Sequence, residues 1–124
     1  MPLRIRITAG TVIAEAELNE SPTAKAILNA LPIDGEANRW GDEIYFEIPV
    51  KLEEALDARQ EMAVGELAYW PAGAAFCIFF GRTPVSRGEE PRAYSNVNPV
   101  GTLAGDAKVF RAVRDGEAVR VERA

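Results

Sequence analysis

In 124 residues the chain carries 14 basic and 19 acidic side chains, a formal charge of −5, with no histidine and a single cysteine, Cys77. Ser-His-Asp and Cys-His catalysis, zinc sites built from several His or Cys ligands, and an intrachain disulfide are thereby excluded for one copy of the chain. A hydrophobic fraction of 48% with 27% charged residues is ordinary globular composition, and the length predicts a single domain, 1–124.

Leu3, Ile5 and Ile7 share one face of an alternating strand, and Arg4, Arg6 and Thr8 share the other. Val12, Ala14, Ala16 and Leu18 repeat the pattern, with Glu15 and Glu17 pointing away. A two-residue loop at Ala9-Gly10 predicts a hairpin in which Ile7 faces Val12, Ile5 faces Ala14 and Arg4 faces Glu15. Ser21 is a good N-cap and Pro22 suits the first helical position. Ala24, Ile27, Leu28 and Leu31 then draw one apolar stripe at i, i+3, i+4 and i+7, and Pro32 ends the helix. Ile33 to Trp40 leads to the turn Gly41-Asp42 and to a clean alternation from Glu43 to Ile48. Ile44, Phe46 and Ile48 form one face of that strand; Glu43, Tyr45 and Glu47 form the other.

Leu52, Ala55 and Leu56 are spaced for a short helix within Leu52 to Met62, although the segment is charged and poorly capped. Leu67 to Trp70 and Ala75 to Phe80 read as strands joined across Pro71-Ala72-Gly73-Ala74, the second apolar on both faces. Gly81 to Pro99, with Pro84, Gly88, Pro91 and Pro99, predicts a long loop of the kind that is usually functional or mobile. Val100 to Leu103, Val109 to Val113 and Val119 to Val121 close the chain as strands, the last after an Asp115-Gly116 turn. About eight short strands and one or two helices make a mainly β protein, a closed barrel or a sandwich with helices at its ends.

The acidic balance and scattered arginines argue against nucleic acid, which needs a basic face. No apolar run approaches the ~18 residues of a membrane helix, and the alternating N-terminus lacks the apolar core of a signal peptide. A soluble cytoplasmic protein without membrane attachment is expected. No calcium loop, phosphate loop or dinucleotide fingerprint is present, so no cofactor and no metal is expected.

Gly41 to Pro49, Val64 to Gly81, Arg82 to Ser86 and Asn98 to Gly101 carry a family likeness, most specifically at Tyr69-Trp70-Pro71. Over nearly its whole length the chain resembles the small stand-alone cyclophilin-like proteins of bacteria and archaea. That resemblance implies a closed eight-stranded cyclophilin-like β-barrel with one or two short capping helices. Cyclophilins isomerise X-Pro bonds with an arginine in a Phe-His-Arg strand, which corresponds here to Tyr45-Phe46-Glu47-Ile48-Pro49. No arginine stands there, and Glu47 brings the opposite charge to a place where density develops on the amide. Prolyl isomerase activity is not expected.

The resemblance also implies a groove on the outer barrel face. Tyr45 and Glu47 point to it together, and Trp70 would line it with one alternate set of the apolar strand, Phe76 and Phe80 or Phe79 and Cys77. Arg82 stands after that strand, where its guanidinium fork suits a carboxylate. The candidate ligand-binding residues are therefore Tyr45, Glu47, Trp70, Phe80 and Arg82, with no catalytic residue assigned. Cys77 reads as inert core, Arg39 as the partner of a surface ion pair, and Asp42-Glu43, Glu53-Glu54 and Glu89-Glu90 as solvated charge. The function expected is a small-molecule or peptide binding module. The alternative is an enzyme with Glu47 as base and Tyr45 as donor, which requires Glu47 to be partly buried. A homodimer through the outer apolar face is the expected self-association.

Overall fold

The computed structural model describes residues 3–124; Met1 and Pro2, the head of the alternating segment, lie outside the described residues. Alternation builds the first hairpin, in which β1 (Leu3–Ala9) pairs antiparallel with β2 (Val12–Leu18). Its register is two residues from the one expected. Gly10-Thr11 forms the loop, so Ile7 faces Ala14, Ile5 faces Ala16 and Arg4 faces Glu17. Gly10 takes a φ of +60° at the first loop position, which glycine adopts without steric cost. A shift of two keeps every side chain on its face. Arg4 still reaches Glu15 at 3.1 Å and adds Glu17 at 3.4 Å.

Ser21 caps α1 (Pro22–Ala30), its Oγ accepting from the Ala24 amide at 3.1 Å. The expected stripe buries Ala24, Ile27 and Leu28, while Leu31 is half-buried at the C-cap. There follow β3 (Ile33–Glu36), β4 (Asn38–Arg39), β5 (Glu43–Glu47), β6 (Arg59–Glu61), β7 (Glu66–Trp70), β8 (Ala75–Phe79), β9 (Arg92–Leu103) and β10 (Ala118–Arg123). The protein is mainly β. Where a closed eight-stranded barrel was expected, the strands form one ten-stranded sheet in the order β3-β10-β1-β2-β9-β7-β8-β5-β4, with β6 added on β9. Hydrogen bonds do not join its end strands β3 and β4, which follow one another in the chain through Ala37. Packing does bring β3 close to β5: a Cβ added at Gly35 would stand 3.1 Å from the Phe46 ring. Among the described residues no helix is long and apolar enough to cross a membrane.

Three segments differ from the sequence reading. No helix forms within Leu52 to Met62, because side chains satisfy the backbone groups that a helix would pair. The Tyr69 hydroxyl donates to the Val50 carbonyl at 2.7 Å and accepts from the Leu52 amide at 3.0 Å. Asn98 accepts from the Ala55 amide at 2.8 Å and donates to the Glu53 carbonyl at 3.1 Å. The expected loop from Gly81 to Pro99 ends instead at Pro91, and β9 runs for 12 residues. Ala93 and Val97 are buried there, and Pro99 stands beside a ladder irregularity between Leu67 and Ala68, the kind of place where a proline is tolerated. Val109 to Val113 is not a strand. Ala107–Ala112 forms a 3-10 helix capped by Asp106, and it inserts Phe110 into the core, 6.1 Å from the Phe80 ring.

The interior has two parts. Ile5, Ile7, Ile44, Phe46, Leu67, Tyr69, Phe76, Ile78 and Phe80 belong to the main core. Met62, Ala68, Cys77, Phe79, Ala93 and Val97 form a second cluster on the other side of β7 and β8.

The turn between β4 and β5 sets where both strands point. Gly41 holds a φ of +61°, and a Cβ there would meet the Arg82 carbonyl oxygen at 2.9 Å. Gly41→Ala is expected to lower stability by about 1–3 kcal/mol in urea denaturation. Gly88→Ala, at a glycine with nothing within 4 Å, should stay within about 0.5 kcal/mol of the parent.

Candidate functional site

Because β8 is buried along its whole length, its outer face must be covered by something. β6 and the first half of β9 supply part of that cover, through Met62, Ala93 and Val97. Next to them lies a cavity of about 230 Å³, floored by Cys77, Ala93 and Val97 and walled by Trp40, Tyr45, Trp70 and Tyr94, with Glu43 beside them.

Each wall has a local cause. Tyr45 sits on β5 directly across from Cys77 of β8. Trp70 ends β7, and the 3-10 turn Pro71–Gly73 folds against its ring so closely that a Cβ on Gly73 would stand 2.5 Å from it. The Trp70 indole N–H donates to Ser95 Oγ at 2.7 Å, which ties β7 to β9. Tyr94 on β9 is exposed at the rim, and Trp40 lies between β4 and the Gly41 turn.

The four rings form a chain of edge-to-face contacts. Tyr45 and Trp70 have centroids 6.0 Å apart with planes at 76°. Trp70 and Tyr94 follow at 6.1 Å and 77°, and Tyr94 and Trp40 at 6.1 Å and 69°. Successive rings thus stand nearly perpendicular along an open chain.

Glu43 is the polar group of this site. It is 5% exposed, and among the described residues it makes no ion pair. Burial raises its carboxyl from 4.5 to about 8, against a smaller opposing effect from the Cys77 thiol hydrogen bond. Burial likewise pushes the Cys77 thiol well above its ordinary value, and the neighbouring Glu43 charge adds to the rise. A thiol so raised is a poor nucleophile. Arg39 is close in sequence but committed elsewhere. It donates to the carbonyls of Gly41 at 2.6 Å and Val113 at 2.8 Å, pairs with Asp42 at 3.1 Å, and lies 5.0 Å above the Phe80 ring.

Of the residues singled out in the sequence, the fold brings Tyr45 and Trp70 together at the cavity. Glu47 lies exposed at the far end of β5, outside the cavity lining. Phe80 is fully buried in the main core against Phe110, because its neighbours Cys77 and Phe79 take the outer face. Arg82 is exposed beyond β8, with its carbonyl accepting the Asp42 amide at 2.8 Å. Glu43, expected to be solvated charge in a turn, is instead buried, since it begins β5 on the same face as Tyr45. That shared face was its signal. Tyr94 gave none, because its segment read as loop.

The chain belongs to the cyclophilin-like family, whose model matches residues 3–122. It is similar to the solution structure of the hypothetical protein AF2241 from Archaeoglobus fulgidus, with a TM-score of 0.84 at 42% identity over 99% of this chain and 95% of that one. No curated protein matches it.

The Glu43 shift fixes the sign of a pH effect. Between 4.5 and about 8 the folded protein holds a proton that the unfolded chain has lost, so this group's contribution to stability falls as pH rises through that window and levels off above it. Relative to Glu43→Gln, the parent protein should lose stability steadily from pH 5 to pH 8 in paired thermal melts. Parallel pH profiles for the two proteins would contradict this assignment.

Proposed function

We propose that the protein is a binding module that takes a small molecule into the aromatic cavity beside β5, β7, β8 and β9, without prolyl isomerase chemistry. The observation that carries this reading is the ring wall itself. Four large aromatic side chains stand around open space of about 230 Å³, whereas such side chains usually fill the gaps between them. Concave, mostly apolar space with a few polar groups is the usual form of a ligand site. The volume lies below the ~300 Å³ at which drug-sized pockets begin, so it suits a small ligand or one side chain and not a run of peptide.

No arginine lines the cavity, so the donor that would hold a proline carbonyl is lacking. Nor does Glu47 suit the acid/base alternative: its exposure removes the desolvation that would tune a general base. The outer apolar face of β8, which in sequence invites a second copy, is covered here by Met62, Ala93 and Val97 of the same chain.

Both tryptophans of the chain line the cavity, so intrinsic fluorescence reports its occupancy. A panel of small neutral, anionic and cationic compounds should contain at least one class that raises Tm and shifts this emission. Trp70→Ala should weaken binding of that class by about 2 kcal/mol, roughly 30-fold. Silence of the whole panel at millimolar concentration would overturn the reading. A proline-peptide assay is expected to run at the uncatalysed rate.

A further inference from the structure

We propose that the ligand of this cavity is a small quaternary ammonium ion, seated among Trp40, Tyr45, Trp70 and Tyr94 with the Glu43 carboxylate as its counter-charge. This rests on the binding reading above and names its ligand class.

Two independent features converge on it. The first is the chain of rings, whose members stand at 69–77° to their neighbours with centroids 6.0–6.1 Å apart. Aromatic faces carry negative quadrupole charge, and a cation within about 6 Å of several such faces is attracted by each of them. The second is Glu43, 5% exposed, on the wall of the same cavity and without an ion-pair partner among the described residues. Two nearby arginines are engaged elsewhere. Arg39 is held by Gly41, Val113 and Asp42, and Arg92 of β9 by Glu61 at 3.0 Å and Gln60 at 3.2 Å. A buried carboxylate without a protein counter-ion is an expensive feature, and an incoming cation would relieve it.

The other ligand classes fit less well. An anion would meet ring faces and a carboxyl group, with no cationic side chain in the lining to hold it. A neutral apolar molecule would leave Glu43 unanswered. A metal ion of the calcium or magnesium type needs about six oxygen ligands, and the lining offers one carboxylate. A primary ammonium carries three N–H donors to satisfy, whereas a quaternary one has none and asks only for charge and apolar contact, which these walls supply.

Proton release follows. The groups that share the wall with Glu43 are the Cys77 thiol of β8 and the phenols of Tyr45 on β5 and Tyr94 on β9, with the Arg39–Asp42 pair beside the turn. None of the lining groups is basic. Near neutral pH the empty site therefore holds a largely protonated carboxyl, and a bound cation favours its ionised form.

Calorimetry with choline and with its uncharged isostere, 3,3-dimethylbutan-1-ol, tests this directly. Choline should bind at least about tenfold more tightly than the isostere, more tightly at pH 8 than at pH 6, and with proton release seen on changing buffers. Glu43→Gln should cut the preference for charge several-fold, leaving the part the rings supply, and keep the fold intact. Trp40→Leu, which keeps an apolar wall, should weaken choline and spare the isostere. Equal affinity for the two probes would overturn the cation assignment and leave the binding module standing. Failure of both probes alongside a hit from the neutral or anionic panel would do the same. A trimethyllysine peptide that binds more tightly than free trimethyllysine would place the cation on a protein side chain; equal affinity would make the ligand a free small molecule.

Discussion

β8 is buried on both of its faces, and most of the remaining structure answers that constraint. Phe76 and Ile78 point to the main core, while Cys77 and Phe79 point away from it. A sheet with one face on its core normally leaves the other to water. Here the second face is apolar and needs its own cover. The chain provides this by carrying β9 past β7 until Ala93 and Val97 lie over β8, and by adding β6 with Met62 at the edge. Extra length in β9 and the small second core are thus two aspects of one requirement.

The cavity begins where that cover runs out. Beyond Ala93 and Val97 the cavity lining holds no aliphatic residue, and aromatic side chains border the space without filling it. Glu43 lies at this margin. A buried carboxyl that stays largely protonated near neutrality avoids the full penalty of an isolated charge. It still subtracts from a folding free energy that for a domain of this size is only about 5–15 kcal/mol. Side chains that lower stability in this way concentrate at functional sites, where local consistency gives way to another demand.

The parts of the fold that could be read from sequence were those governed by local period. The alternation of β1, β2 and β5, the capped helix after Ser21 and the doubly apolar strand before Gly81 each follow from neighbours within a few residues. What escaped was governed by distant partners. Leu52 to Met62 looked weakly helical because the groups that hold its backbone, Tyr69 and Asn98, lie 17 to 43 residues away along the chain. Arg92 to Pro99 looked like loop because its polar residues and proline conceal Ala93 and Val97, whose burial depends on β8. The site split along the same line. Tyr45 and Trp70 were legible from strand position, whereas Tyr94 needed the true extent of β9. Glu43 reads as a turn charge beside Asp42, although alternation puts it on the face of Tyr45.

Family membership constrains the scaffold more than the chemistry. The strand that resembles the catalytic strand of cyclophilins is β5, and its outward residues here are Glu43, Tyr45 and Glu47. An acidic and phenolic outward face offers no cationic donor to a carbonyl oxygen gaining negative charge. The arginine nearest that strand, Arg39, turns instead to the Phe80 ring and the carbonyls of Gly41 and Val113. It therefore braces the end of the core and does not offset Glu43. With that guanidinium engaged and no histidine in the chain, the cavity lining carries one carboxyl group and four aromatic rings and no basic side chain.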